Sequence, residues 1–252
     1  MAKVKDITDF FEGFAPVCTA MEFDNVGLLA GDKNADISKV LLTLDITAEV
    51  VEEAARNGCE LIISHHPVIF RPLKRLDAKS AAYQLAKHGI AAVCMHTNLD
   101  VSTEFGVNTC LAEAIGVKDL RRSDLGECLF IGELEKESDI LSFAKHVKKA
   151  LSCEGLRYTD VNPKVKTVAV ASGAGGSGII AAAGEGADVL VTGEIKHHDI
   201  NEANALGVNI IDAGHFKSED IVILPLKNRL EEAFSEIIFT KSQVYGDKIK
   251  YL

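Results

Sequence analysis

Two periodicities divide the chain. Short, almost wholly apolar runs read as buried parallel strands, and between them longer stretches carry apolar residues at helical spacing. Residues 6–14 place Ile7, Phe10, Phe11 and Phe14 on one helical face, with Asp6 or Thr8 as N-cap and Pro16 just beyond the end. Residues 22–31 read as a turn entering a strand, and residues 39–45 as a strand ending in the carboxylate of Asp45. An amphipathic helix over 48–57 follows, closed by Gly58 at C′. Residues 61–64 form the next strand, ending in His65-His66-Pro67, so that strand, helix and strand make a right-handed βαβ unit. A looser segment, 68–79, leads to a helix over 80–88 stopped by Gly89, then to a strand over 90–95 that ends in His96-Thr97-Asn98-Leu99-Asp100.

The second half repeats this pattern. Thr167-Val168-Ala169-Val170-Ala171 matches the strand at Val40, and Gly186 to Thr192 matches Gly58 to Ser64 at the same 18-residue spacing. Gly207 to Ile211 follows a helix as Gly89 to Val93 does, and leads to Gly214-His215. Residues 128–134 and 156–158 read as strands around a helix over 139–151. The predicted fold is α/β: a duplicated unit forming two related domains, 1–124 plus 212–252 and 125–211, with the weak boundary near 121–126. His65-His66 of the first copy becomes Gly193-Glu194 in the second.

Composition narrows the function classes. The 252 residues are 47% hydrophobic and 25% charged, which suits a globular chain with a sizeable core. A net charge of −10 supplies no general basic field for a phosphate backbone and argues against nucleic acid as the main ligand. Six scattered cysteines without a C-x-x-C pair read as reduced thiols. With no signal-like N-terminus and no apolar run of membrane-spanning length, a cytoplasmic protein off the membrane is expected.

Candidate chemistry collects at strand ends, where loops leave the sheet and ligands bind in open α/β folds. His65 with His66, His96 with Asp100, and His215 with Glu219 each end or follow such a strand. Each pair alone is matched by a bland alternative, a core histidine or a solvated helix face. Together, imidazoles and carboxylates without thiolates suit divalent zinc, manganese or iron. The i, i+4 spacing of His215 and Glu219 puts both on one face if the segment is helical. Asp24 and Asn25 either cap their turn or sit at the site rim. Ser172-Gly173-Ala174-Gly175-Gly176-Ser177-Gly178 is either a tight turn or a loop presenting N–H groups to an anion; no Walker lysine follows it. Glu194 precedes His197 and His198 by about one helical turn, as acid, base or substrate contact or simply as a polar helix start.

These motifs, Phe23-Asp24-Asn25-Val26-Gly27-Leu28, Ser64-His65-His66-Pro67, His96-Thr97-Asn98-Leu99-Asp100, Ser172 to Gly176, Thr192-Gly193-Glu194 and His215 with Glu219, occur in the order of one family. The chain closely resembles the Ngg-interacting-factor-three-like family, whose members carry the label GTP cyclohydrolase 1 type 2 homologue. The resemblance implies two related α/β domains, a dinuclear metal centre in the cleft between them, and a toroidal homohexamer. It implies metal ligands at His65, His66, Asp100, His215 and Glu219, and supports Glu194 with His197 or His198 as cleft residues; Glu194 and His198 are taken as the catalytic pair. Phe23 stands where the family commonly has Trp, and no long insertion separates the halves. The expected function is a two-metal hydrolase of a nucleotide or phosphoester, with GTP suggested by the label. The alternative is a non-catalytic, ring-forming metal-binding, metal-storage or interaction protein.

Overall fold

The computed structural model describes residues 1–252, and the chain divides into two compact units. The first comprises residues 1–99 and 223–246, the second residues 100–222 and 247–252.

In the first unit the strands Lys39–Thr43, Leu61–Ser64 and Ala91–Cys94 lie parallel and adjacent, with Val40 opposite Leu61 and Leu61 opposite Ala91. Ile238–Lys241 extends the sheet in parallel beside Lys39–Thr43, and Gly27–Ala30 closes the other edge antiparallel to Ala91–Cys94. The central strands have no polar face because both sides are covered, which explains their continuous apolar sequence. The helix Ala48–Asn57 is capped by the Thr47 side chain accepting from Val50 N–H, and ends at Gly58 in the left-handed region (φ 68°). Ala81–His88 repeats the device with Ser80 and Gly89. Val50, Val51, Ala54 and Leu85 from these helices pack on Leu41, Ile62 and Ala92 of the sheet.

The second unit holds a six-stranded sheet. Lys164–Ala171, Val189–Thr192 and Asn209–Asp212 form its parallel part, with Val168 opposite Val189 and Val189 opposite Asn209. Phe130–Asp139 runs antiparallel to Lys164–Ala171, Val117–Arg122 pairs beyond it, and Arg157–Tyr158 closes the far edge. The helix Ile140–Ala150 and the sheet's strands share one core through Phe143, Ala144, Val147, Val168, Val170 and Val191. The helices Ile179–Gly184 and His197–Ala205 share another with Leu190 and Ile210 through Ile179, Ala182 and Ala203.

The expected domain bounds differ from these units. Val117–Arg122 hydrogen-bonds to Phe130–Asp139, which draws everything from Asp100 onward into the second unit rather than from residue 125. The helix His215–Glu219 belongs to the second unit as well, whereas residues 212–252 were expected to return to the first. The return begins at Ile223, where the helix Ile223–Ala233 leads to the edge strand Ile238–Lys241. No helix is long and apolar enough to cross a membrane.

Candidate metal centre

The first unit brings three imidazoles to one point. His65 and His66 follow the Leu61–Ser64 strand directly, and His96 follows the neighbouring Ala91–Cys94 strand after Met95. Ring centroids lie 5.1 Å apart for His65 and His66, 5.2 Å for His65 and His96, and 5.5 Å for His66 and His96. One nitrogen from each ring lies within 4.8 Å of the others. Neighbours in a continuous strand would point to opposite faces. Here the chain turns after Ser64, whose Oγ donates to His66 O (2.7 Å), while His66 N–H donates to Leu44 O (2.9 Å).

Each ring is held from behind through Nδ1. His65 Nδ1 lies 2.8 Å from Met95 O, His66 Nδ1 2.9 Å from Asp45 Oδ1, and His96 Nδ1 2.9 Å from Asp24 Oδ1. A carbonyl or carboxylate acceptor places the proton on Nδ1 and leaves the Nε2 lone pair as the one a cation takes, which is the usual outer-sphere arrangement of metal-binding histidines. Asp24 also accepts from Thr97 N–H (3.0 Å) and Thr97 Oγ1 (2.5 Å). Burial opposes ionisation of Asp24, but the bonds from His96 and Thr97 outweigh it and hold its carboxyl well below the usual carboxylate range. Behind His96, the fully buried Asn98 accepts from His96 N–H (3.0 Å) and donates to Ala15 O (2.7 Å). The donor set of imidazoles with oriented outer partners therefore fits a divalent ion.

The second unit carries its own donors. Gly214 (φ 87°) turns the chain into the helix His215–Glu219, and the i, i+4 spacing brings His215 Nε2 to 2.9 Å from Glu219 Oε2. His215 Nδ1 lies 3.1 Å from Glu194 Oε1. Glu219 is buried, and Glu194 is largely exposed. Gly173 explains the glycine-rich loop: it sits at φ 57°, donates its N–H to Ser218 Oγ (3.1 Å), and a Cβ there would lie 2.1 Å from Glu219 Oε1. The loop is a tight turn whose backbone seats the carboxylate. Asp100, 8% exposed, closes the helical turn Thr97–Asp100 and is the first residue of this unit.

A cavity of about 730 Å³ opens beside His215 within the second unit, lined among others by Arg157, Glu194, Lys196, His198 and Tyr251. His198 lines it as an exposed side chain and lies 3.1 Å from Asp199, not against Glu194. His197, on the other side of the helix start, pairs with Asn201 (3.4 Å).

A model of the Duf34/NIF3 (NGG1p interacting factor 3) family matches residues 2–247. The chain belongs to this family. A Clostridium perfringens relative named GTP cyclohydrolase 1 type 2 homolog is 34% identical over 99% of this chain and 100% of that protein. A Lactococcus lactis protein of the same name is 34% identical over 98% and 94%. Among solved structures, Staphylococcus aureus hypothetical protein SA1388 superposes with a TM-score of 0.91 at 30% identity, covering 99% of both chains. Reduced HcgD from Methanocaldococcus jannaschii superposes at 0.82 with 27% identity, covering 96% of this chain and 98% of that one.

The ligand set inferred for this Duf34/NIF3 chain from resemblance left out His96, which the first unit places beside His65 and His66. Its position at a strand end had already marked it. Asp24 both caps its turn, accepting from Asn25 N–H (2.8 Å), and orients His96, so its two readings are compatible. Asp45 as the partner of His66, and Tyr245 donating to Asp45 from 200 residues away, had no local signal beyond a carboxylate at a strand's end.

Proposed function

We propose that this Duf34/NIF3 protein is a metal-dependent hydrolase with a dinuclear centre that acts on a nucleotide or phosphoester. Its ligands are His65, His66, Asp100, His215 and Glu219, joined by His96. The observation that carries the reading is the triad of imidazoles within 4.8 Å, each fixed through Nδ1 by a carbonyl or carboxylate. Two related α/β units facing one cleft are part of the same proposal, supported by the matching parallel trios of strands and by the 18-residue spacing common to both halves.

Two zinc, manganese or iron ions would supply a water of lowered pKa and polarise the bond under attack. The chain's own part is to orient the ligands and move the proton. Glu194, whose Oε1 lies 3.1 Å from His215 Nδ1 and whose side chain lines the cavity, would accept a proton from the attacking water. His198 on the same cavity wall would give a proton of its own to the leaving group and regain one from solvent, as Glu194 releases its proton to solvent. The names of the Clostridium perfringens and Lactococcus lactis relatives make GTP the first substrate to try. A homohexameric ring in the cytoplasm is the assembly carried with this reading.

Elemental analysis of wild type and His65→Ala, purified without chelator, tests it. About two ions per chain in wild type and fewer in the variant are expected, with GTP or phosphoester turnover lost in Glu194→Gln at unchanged metal content. Retained metal without turnover over a broad substrate panel leaves a metal-binding or interaction module; absence of metal after reconstitution ends the hydrolase reading.

A further inference from the structure

The sixteen residues between the Leu61–Ser64 strand and the Ala81–His88 helix begin with His65 and His66 and then run from Pro67 to Ser80 without helix or strand. Connections of this length without structure of their own are uncommon in compact domains and usually carry function. This one holds Arg71, Lys74, Arg75 and Lys79 against Asp77 alone, a net +3 in a chain of −10. It also exposes Phe70 (42%), Leu73 (52%) and Leu76 (53%).

The loop starts at the imidazole triad. Asn25 Nδ2 donates to Ile69 O (2.5 Å), and Phe70 lies edge-on to His96 with centroids 6.3 Å apart. Phe23, 63% exposed, meets Phe70 at 6.2 Å in a T-shaped pair. Two exposed phenyl rings beside a cluster of ligating histidines, followed by a run of cations, combine three features that one class of ligand requires.

The geometry points to a nucleotide-binding subsite in which Phe23 and Phe70 stack the base and Arg71, Lys74 and Arg75 hold the phosphates beside the triad. The site rests on the hydrolase reading for its substrate and names the residues that recognise it. A planar base finds the open ring face of a T-shaped pair. Phosphates meet the cations on the loop, where guanidinium groups pair with phosphate in two parallel hydrogen bonds. A second protein chain fits less well. At about 200 Å² per full side chain, Phe23, Phe70, Leu73 and Leu76 expose roughly 400 Å², short of the ~800 Å² each partner buries in a standard interface.

Calorimetric titration of the metal-loaded protein with GTP, guanosine and inorganic tripolyphosphate tests the assignment, with metal content and elution volume measured for every variant. Phe70→Ala is expected to weaken GTP and guanosine about tenfold, the size of one base stack, and to leave tripolyphosphate unchanged. The triple variant R71E/K74E/R75E is expected to weaken GTP and tripolyphosphate about tenfold or more, to remove most of the salt dependence of GTP binding, and to leave guanosine unchanged. Phe23→Leu, which keeps the patch apolar, should weaken guanosine in the same direction and guards against loss of folding in the alanine variant. Unchanged affinities in all three variants, or a change of elution volume in place of a change of affinity, overturn the subsite. GTP bound with this pattern but never turned over sinks the hydrolase reading and keeps the site; turnover with a KM indifferent to the variants does the reverse.

Discussion

Gly173→Ala tests how tightly the second unit's carboxylate is seated. Gly173 lies at φ 57°, where an alanine costs about 1–2 kcal/mol. Its new Cβ would stand 2.1 Å from Glu219 Oε1, 3.1 Å from Glu219 Cδ and 3.3 Å from His215 Cε1. Contact between carbon and oxygen needs more than 3 Å, so the carboxylate must move by about 1 Å or the loop must open. The loop resists, because Gly173 O accepts from Gly193 N–H (2.9 Å) and Thr192 Oγ1 (3.2 Å), while Gly173 N–H donates to Ser218 Oγ. Forcing an extra methyl into such a site costs about 1–3 kcal/mol. The total is about 2–5 kcal/mol, measured as the loss of unfolding free energy in urea on metal-free protein. The same substitution made in Glu219→Ala meets no carboxylate and should cost only the backbone part, about 1–2 kcal/mol. Equal costs in the two backgrounds, or a cost under about 1 kcal/mol in the first, would refute the claim that this glycine exists to admit Glu219. With metal present, the displaced carboxylate should also weaken metal binding by tenfold or more, read by titration.

Asn98→Ala removes the link between Ala15 O and His96 N–H and leaves the buried Ala15 O without it; urea unfolding should lose about 1–3 kcal/mol, and metal affinity should fall with it. Arg121, then Ser123, hold the Glu185 carboxyl down to about 2 from an ordinary 4.5. The stability this gives is complete above pH ~4.5 and is lost as the pH falls towards 2, so Glu185→Gln should flatten the acid limb of the stability curve there. Because Arg121 is half exposed, the loss at neutral pH should be roughly 1 kcal/mol. A chelator should lower the melting temperature, and ions restored at about 100 times their Kd should return about 2.7 kcal/mol; melting indifferent to both argues against a resident ion.

How far the sequence could be read depended on the range of the interaction. Thr47 with Gly58 and Ser80 with Gly89 bound their helices through contacts within the helix ends, and the sequence marks all four. Pairing of adjacent strands followed from apolar runs at repeated spacing. The unit boundary did not, since the pull of Phe130–Asp139 on Val117–Arg122 is a hydrogen-bond pattern between two strands of mixed sequence. His65, His66 and His215 stood out only as a set, imidazoles and carboxylates collected at corresponding strand ends. The partners that orient His66 and His96, namely Asp45 with Tyr245 behind it and Asp24, are common residues that gain meaning only through contacts made 21 to 200 residues away.

One difference between the two units joins these scales. Where the Leu61–Ser64 strand of the first unit runs into His65-His66, the Val189–Thr192 strand of the second runs into Gly193-Glu194, and the sequence alone gives no reason for a glycine there. A Cβ on Gly193 would lie 2.3 Å from Ser218 Oγ, 2.8 Å from His215 Cα and 2.9 Å from Gly173 O. The helix His215–Glu219 packs against that backbone, so no imidazole can leave the Val189–Thr192 strand at this position. The second unit instead brings its imidazole in from the helix, with Glu194, the next residue of the strand end, turned onto its Nδ1 at 3.1 Å. The glycine at 193 and the histidine at 215 are thus one choice. Gly193→Ala should displace the helix and uncouple Glu194 from His215, even though neither residue has been changed.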